Sequence, residues 1–203
     1  MASTTTTTAP PPQFAFRTLK EIGLTDAAPL YAAVPGFTRP QGNSRCCIYS
    51  PCGRYFAWAA VEGVHVVDSA TGAPVAQLPV PNVYELAFSP RGSYVITWER
   101  PSKDEAGDAV KNLKVWRTIE EGERTVLGRW VQKSQTGWNL QYTADEKYCA
   151  RVVTNEVQFY ESNELAVPWN RLRAEGVADF ALSPGNNNSV AVFIPQRKVC
   201  LFN

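Results

Sequence analysis

Short apolar runs of four to six residues, separated by turn-forming residues, recur along most of the chain. The clearest example is residues 86–98, LAFSPRGSYVITW. Its two apolar arms are rich in β-branched and aromatic side chains, which fit a pleated, half-buried surface. The Ser-Pro-Arg-Gly between them fits a type I turn, because proline presets φ at the second position and glycine is favoured at the fourth. The pattern predicts a β-hairpin, which needs a surrounding sheet to be stable.

Near-copies of this hairpin occur at residues 47–58, 140–150 and 180–193. Counted from the Ser or Thr that opens each turn, the spacings are 39 (50 to 89), 54 (89 to 143) and 40 (143 to 183) residues. Two of these spacings lie near the ~40–45-residue period of a WD40-like propeller blade. The longest contains an additional polar segment, residues 99–111, which we interpret as a surface loop insertion.

Each hairpin is followed by a third apolar run, at residues 64–67, 113–116, 157–160 and 199–202. A fourth run is visible at 74–78 and at 125–131. Only residues 164–175 have any potential for a helical turn, and Pro168 weakens it. We therefore predict an all-β fold, a partial WD40-like β-propeller of about four to five four-stranded antiparallel blades from a larger ring.

The chain is predicted to divide into a Thr/Pro-rich disordered tail, residues 1–12, and an incomplete propeller domain, residues 13–203. Repeats begin near 46, 85, 138 and 179, and residues 14–18 and 30–34 form weak strands in a partial first blade. The last repeat stops at its third strand, so we expect a fragment or truncated product. Half a ring leaves two blade surfaces apolar and open, which predicts aggregation or dependence on a partner.

Composition narrows the possible partners. The formal net charge is +1, so no global field draws the chain to nucleic acid, and any RNA contact must come from local patches. No apolar run reaches the ~20 residues of a transmembrane helix, and the N-terminus lacks the pattern of a secretory signal. Five cysteines, an odd number with four on strand-like segments, suggest reduced thiols in a cytoplasmic protein.

No arrangement of residues typical of an enzyme occurs in the sequence. The single histidine, His65, lies on a strand without a nucleophile motif, and we interpret it as structural or surface-exposed. The spacing of the nearby cysteines does not form the CxxC pair that is typical of a metal site; they are Cys46, Cys47 and Cys52. Cys47 is predicted to be buried in the core. The carboxylates of the polar insertion are expected to be solvated. We therefore predict no catalytic, cofactor-binding or metal-binding residues.

Basic residues recur beside the hairpin turns of successive repeats: Arg54, Arg91 and Lys147. Equivalent turns of a propeller lie on one face, so these three would form an arc of positive charge that suits rRNA phosphates. The alternative is that they only make the turns soluble. The weaker candidates are Arg100, Lys103, Arg171 and Arg173.

Five of the six tryptophans divide into two groups by context. Trp58, Trp98 and Trp116 end or continue apolar strands and are predicted to lie in the core. Trp138 and Trp169 lie in looser contexts, where an exposed role such as base stacking remains open.

One ordered set of segments resembles a known family. The run ADEKYCARVVTNEVQFYE at 144–161, followed by DFALSPG at 179–185 and VAVFIP at 190–195, resembles the eukaryotic translation initiation factor 2A family. The segments around 47–58 and 86–98 match the same family in the same order, so the resemblance covers roughly residues 43–203. Subunit b of initiation factor 3 is a poorer match.

The resemblance implies the N-terminal part of a nine-bladed propeller, in a factor that associates with the small ribosomal subunit and delivers initiator methionyl-tRNA without GTP. Its implied partners are the small subunit and other initiation factors, with initiator tRNA and mRNA bound through regions that are missing here. The alternative is a generic WD40-like protein-interaction scaffold that does not bind RNA, because the fold alone does not define the function.

Overall fold

The computed structural model describes residues 46–119, 126–135, 138, 140–185, 189–195 and 198–202. All of them belong to residues Val34–Asn203, one of the two units into which the chain divides. The predicted tail (1–12) and the weak strands at 14–18 and 30–34 lie outside these residues. Within the described part of the chain there are fifteen strands and no helix, and the strands form four antiparallel sheets.

Each sheet consists of strands that are consecutive in the sequence, so each is one propeller blade. Blade 1 contains β1 (Cys47–Tyr49), β2 (Tyr55–Ala59), β3 (Val64–Asp68) and β4 (Pro74–Leu78). Blade 2 contains β5 (Val83–Phe88), β6 (Tyr94–Glu99), β7 (Leu113–Arg117) and β8 (Val126–Trp130). Blade 3 contains β9 (Gln141–Tyr142), β10 (Tyr148–Val153), β11 (Glu156–Glu161) and β12 (Asn170–Arg173). Blade 4 contains β13 (Asp179–Leu182), β14 (Val190–Ile194) and β15 (Lys198–Phe202).

The predicted turn chemistry is present in the hairpin of blade 2. The Gly92 amide donates to the Ser89 carbonyl at 2.9 Å, and Gly92 adopts a φ of 79°, which glycine tolerates without a Cβ clash. The Tyr94 amide donates to the Ser89 hydroxyl at 3.0 Å, so the serine side chain closes the turn. Ser50 makes the equivalent contact with the Tyr55 amide at 2.9 Å, which confirms that the two hairpins are structural copies.

The hydrophobic core lies between blades rather than inside any one of them. One cluster joins blades 1 and 2 and includes Val66 and Phe88, both buried. A second joins blades 2 and 3, and a third joins blades 3 and 4 around Val157 and Val192. Because each interior blade packs against two neighbours, β6 is buried on both faces and its sequence shows no alternation of apolar and polar residues.

Blade 4 keeps one apolar face open among the described residues. Its residues facing blade 3 are buried, but Phe193, Val199 and Leu201 on the opposite face are 49%, 61% and 77% exposed. This agrees with the predicted open blade surface. Whether it causes aggregation stays a prediction.

The structure corrects the expectation for Cys47. Cys47 is exposed rather than buried, because β1 is a three-residue edge strand in which Ile48 is the more buried residue and its two neighbours point outward. Residues 164–175 contain no helical turn, as the weakening effect of Pro168 indicated, and Asn170–Arg173 form β12, the outer strand of blade 3. The prediction for Trp58, Trp98 and Trp116 is confirmed, since all three are buried.

The polar insertion is a surface loop, as predicted. Residues 100–109 are exposed, with a bridge between Lys103 and Ala109, hydrogen bonds within the loop and a contact between Arg100 and the Tyr84 ring. Across the described ranges, we find no helix with the length and apolar character needed to cross a bilayer.

Candidate nucleic-acid interface

Three hairpin turns, at residues 50–54, 89–93 and 143–147, adjoin one another along one edge of the blades, which we call the turn face. The Cys52 thiol donates to the Arg91 carbonyl oxygen at 3.1 Å, which joins blades 1 and 2. The Arg91 amide donates to Glu146 Oε1 at 2.6 Å, which joins blades 2 and 3. The turns that carry Arg54, Arg91 and Lys147 are therefore contiguous.

A groove of about 290 Å³ on the turn face is lined by Arg54, Arg91 and Arg117. Tyr55 and Tyr94 also contribute to its walls. Arg117 ends β7, which runs antiparallel to β6 and so returns to the same edge as the β5–β6 turn. Three guanidinium groups around one small groove form a local positive patch in a chain of nearly neutral net charge.

The groove arginines are positioned by neutral groups. The Arg54 guanidinium carbon lies 5.9 Å from the centre of the Tyr55 ring, and a hydrogen bond with that side chain raises the pKa of Arg54. Arg91 Nε donates to the Ala144 carbonyl at 3.1 Å, and Arg117 Nη2 donates to Asn163 Oδ1 at 3.1 Å. The contacts of Arg54 and Arg91 orient their guanidinium groups without neutralising their charge.

A second groove of about 650 Å³ lies between blades 3 and 4 and is lined by Lys147, Tyr148, Trp169 and Arg171. Lys147 Nζ lies 5.1 Å from the centre of the Tyr148 ring, and a hydrogen bond with that side chain is the main cause of its raised pKa. Lys147 therefore stays protonated at neutral pH. In the part of the chain that the structure describes, neither Lys147 nor Arg54 nor Arg91 forms a salt bridge.

The turn face also carries carboxylates, so its charge is mixed. Asp145 accepts hydrogen bonds from the Thr143 hydroxyl and the Lys147 amide, which lower its pKa. Asp68 accepts from the Thr71 amide and hydroxyl, with the same effect on its pKa. Both carboxylates are ionised at neutral pH but are engaged within their own turns.

The basic residues that were the weaker candidates for RNA contact lie at separate places on the surface. Arg100 and Lys103 follow β6 at the edge opposite to the turn face, and Arg100 packs 4.0 Å from the centre of the Tyr84 ring. Arg171 is exposed on the wall of the second groove, with its Nη1 3.6 Å from Glu156 Oε1. Arg173 is paired with Glu156 in the β11–β12 register, at the end of β12 away from the turn face.

Sequence reasoning missed Arg117 as a member of the first groove. A usable signal was present, because the third strand of an antiparallel blade ends at the edge where the first hairpin turns. The last residue of each third strand is therefore a candidate for the turn face, as Asp68 in blade 1 and Arg117 in blade 2 illustrate.

The histidine and cysteines considered in the sequence for catalysis or metal binding do not come together at one site. The His65 ring stacks on Trp58 at 5.1 Å, and its Nε2 lies 2.7 Å from Glu62 Oε1. Cys46, Cys47 and Cys52 are free thiols. Over the described residues, no group of three or more His, Cys, Asp or Glu side chains is arranged to hold a metal ion.

Comparison with known proteins identifies several similar chains, although no protein-family model matches. Eukaryotic translation initiation factor 2A of Schizosaccharomyces pombe is 50% identical over 187 residues, which cover 92% of this chain and 32% of that protein. The protein of the same name from Drosophila melanogaster is 35% identical over 71% of this chain and 24% of its own length. The chain thus spans about a quarter to a third of the length of these relatives, both of which are translation initiation factors.

Solved structures agree with both the sequence resemblance and the fold. A crystal structure described as that of the eukaryotic initiation factor is 47% identical with a TM-score of 0.78, over 85% of this chain and 44% of that one. The C-terminal WD40 domain of Sif2 has a TM-score of 0.54 at 13% identity, over 82% of this chain and 46% of that one, and supports the fold alone. The predicted partial WD40-like propeller and the resemblance to initiation factor 2A are both confirmed.

Proposed function

Because this chain is similar over 92% of its length to a eukaryotic translation initiation factor 2A, we propose that it acts in translation initiation and associates with the small ribosomal subunit. In the longer protein, the proposed activity is delivery of initiator methionyl-tRNA without GTP, in the cytoplasm and together with other initiation factors. Initiator tRNA and mRNA are proposed to bind chiefly through regions outside this chain.

The observation that carries this proposal is the contiguous turn face, with Arg54, Arg91 and Lys147 on three joined turns. Phosphate groups of rRNA require cations but no particular base edge, so a rigid arc of cations is sufficient for their recognition. Guanidinium groups add bidentate geometry toward phosphate oxygens. Arg117 extends the same patch and is added to the proposed contacts.

A salt series tests the phosphate contacts. We expect this chain to cosediment with purified small ribosomal subunits in sucrose gradients and to bind less as the salt concentration rises. A triple variant, with Arg54→Glu, Arg91→Glu and Lys147→Glu, should bind the subunit more weakly. The slope of the logarithm of its binding constant against the logarithm of salt concentration should also become shallower by about two to three. The measurement is the bound fraction between roughly 50 and 200 mM salt.

The matched control reverses three exposed cations at the opposite edge, Lys111→Glu, Arg129→Glu and Lys133→Glu. It alters the net charge equally and should leave more binding than the turn-face variant. Equal losses would mean that only total charge matters. Unchanged cosedimentation of the turn-face variant would refute the proposed contacts and favour the scaffold alternative.

A further inference from the structure

The second groove contains an exposed aromatic stack that the phosphate contacts do not use. Trp169 is 60% exposed, and its ring stacks on Tyr148 with 5.2 Å between ring centres and 29° between planes. Lys147 Nζ lies 5.1 Å from the centre of the Tyr148 ring. One face of the indole is therefore occupied by Tyr148, and the high exposure leaves the other face accessible to solvent.

The position of this tryptophan in blade 3 explains why it is exposed. Pro168 ends the loop that follows β11, and Trp169 stands directly before β12, the outer edge strand of blade 3. No further strand of that blade covers it, since the sheet order ends at β12. Trp98, near the end of β6, is buried because it packs in the layer between blades 2 and 3.

From this arrangement we propose that the groove between blades 3 and 4 binds an unpaired base of single-stranded RNA, which stacks on the free face of Trp169. The groove volume of about 650 Å³ lies within the range of about 300–1,000 Å³ typical of small-ligand pockets. This inference rests on the proposed function and names a second, base-contacting part of the same surface.

Charge and chemistry favour RNA over an apolar peptide as the occupant. Lys147 and Arg171 lie on the groove wall together with Asp145, so the wall carries a net positive charge that suits the phosphates that flank a stacked base. Aromatic rings with adjacent cations are the usual platform for unpaired bases, because every base has a π-face and stacking tolerates sequence. Asn170, also on the wall, adds an amide that can donate to or accept from a base edge.

A binding assay with two RNA probes tests the proposal. The probes are a fluorescein-labelled oligouridine of about ten nucleotides and a duplex RNA of the same length, each titrated with the 203-residue chain and followed by fluorescence anisotropy. We expect Trp169→Ala to weaken binding of the single strand by at least roughly five-fold, the lower end of base–aromatic stacking, and to leave duplex binding unchanged. Trp169→Phe should retain most of the affinity, because it keeps an aromatic face.

Val167→Ala is the matched control, since Val167 is 67% exposed two residues away and does not line the groove. Circular dichroism and thermal melting should show that all variants fold alike. The proposal is overturned if the single strand does not bind, if Trp169→Ala binds it as the unsubstituted chain does, or if duplex affinity falls by the same factor.

The experiments can refute small-subunit association and base stacking on Trp169 independently of each other. If Trp169→Ala has no effect on the single strand while Arg54→Glu with Arg91→Glu still weakens small-subunit binding, the stacking site is wrong and the phosphate-contacting face stands. If the single strand binds through Trp169 and the subunit does not bind, the stacking site stands and the small-subunit function is wrong. Neither Arg54 nor Arg91 lines the second groove, so these variants do not overlap.

Discussion

Single residues on the turn face hold neighbouring blades together, and Glu146 is the clearest case. It occupies the turn position that Gly53 and Gly92 hold in the other two hairpins, with a φ of 60° that is uncommon for a residue with a side chain. Its side chain is only 7% exposed and accepts the Arg91 amide across the blade boundary. The carboxylate thus joins blades 2 and 3 at a position where glycine could not.

We expect Glu146→Ala to lower the free energy of unfolding by about 1–3 kcal/mol, because the Arg91 amide loses its acceptor in a part-buried place. Both residues carry a Cβ, so the backbone strain of the turn is unchanged by the substitution. Urea denaturation followed by tryptophan fluorescence measures the difference. Glu146→Gln keeps an oxygen acceptor and should lose less. Equal stability of the alanine variant and the unsubstituted chain would contradict this role.

At the scale of an element, the strands of blade 2 are joined at one end by a buried amide. Asn112, 1% exposed, donates through Nδ2 to the carbonyls of Glu99 at 2.7 Å and Gln132 at 2.9 Å. Its Oδ1 accepts the Gln132 amide at 2.8 Å. One side chain therefore satisfies backbone groups at the ends of β6 and β8 where the sheet ladder stops.

Replacing this amide should destabilise the whole blade. We expect Asn112→Ala to cost about 2–4 kcal/mol of unfolding free energy, since three hydrogen bonds are lost and buried backbone groups are left without partners. Gln77→Ala, at an exposed position on β4, is the control and should have little effect. Amide hydrogen exchange should also increase first at the ends of β6 and β8; uniform exchange across all blades would argue against a local role.

The molecule as a whole contains several weak acids in the layers between blades. Burial raises the pKa of the Cys149 thiol to about 12 and is the main cause of the raised pKa values of Tyr142 and Tyr160. All three belong to the cluster that joins blades 2 and 3. Their ionisation would place negative charge in an apolar layer, so the folded state holds these protons more tightly than the unfolded chain does.

Stability should therefore fall at alkaline pH. A cysteine in the unfolded chain titrates near 9.0, so between that pH and about 12 the folded state binds more protons and the free energy of unfolding decreases as pH rises. Cys149 alone should contribute a loss of about 2 kcal/mol by roughly pH 10.5. Urea denaturation at pH 7.5 and 10.5 measures it, and Cys149→Ala should show a shallower decrease. A pH-independent midpoint in the unsubstituted chain would contradict this linkage.

Much of the fold could be predicted because hairpins are encoded locally. Ser89, Pro90 and Gly92 specify their turn with their own side chains and backbone preferences, and the same signals recur in blade 1. The prediction failed for Cys47, where a short edge strand exposes a residue whose neighbours in sequence are apolar. It also missed β12, since Asn170–Arg173 has no apolar alternation and is a strand only through its pairing with β11.

The candidate site was less predictable than the fold. Arg54, Arg91 and Lys147 could be placed on one face from the repeat alone, because equivalent turns superimpose. Arg117 was missed, although the end of a third strand is a position that the repeat itself indicates. Trp169 entered the second groove only through the packing of blades 3 and 4. Whether these residues contact RNA stays a prediction for the experiments above.

The sequence by itself determined the hairpin repeat, the four-stranded blade and the turn residues that carry basic side chains, because these depend on interactions within about forty residues. The tertiary structure alone decided which cations share a groove, which tryptophans are covered and where Glu146 finds its partner. The physical reason is that blades pack through their faces, so a side chain's burial depends on whether another blade lies against it. Trp98 and Trp169 are the same residue type near strand ends, and only the packing of neighbouring blades leaves one buried and the other exposed.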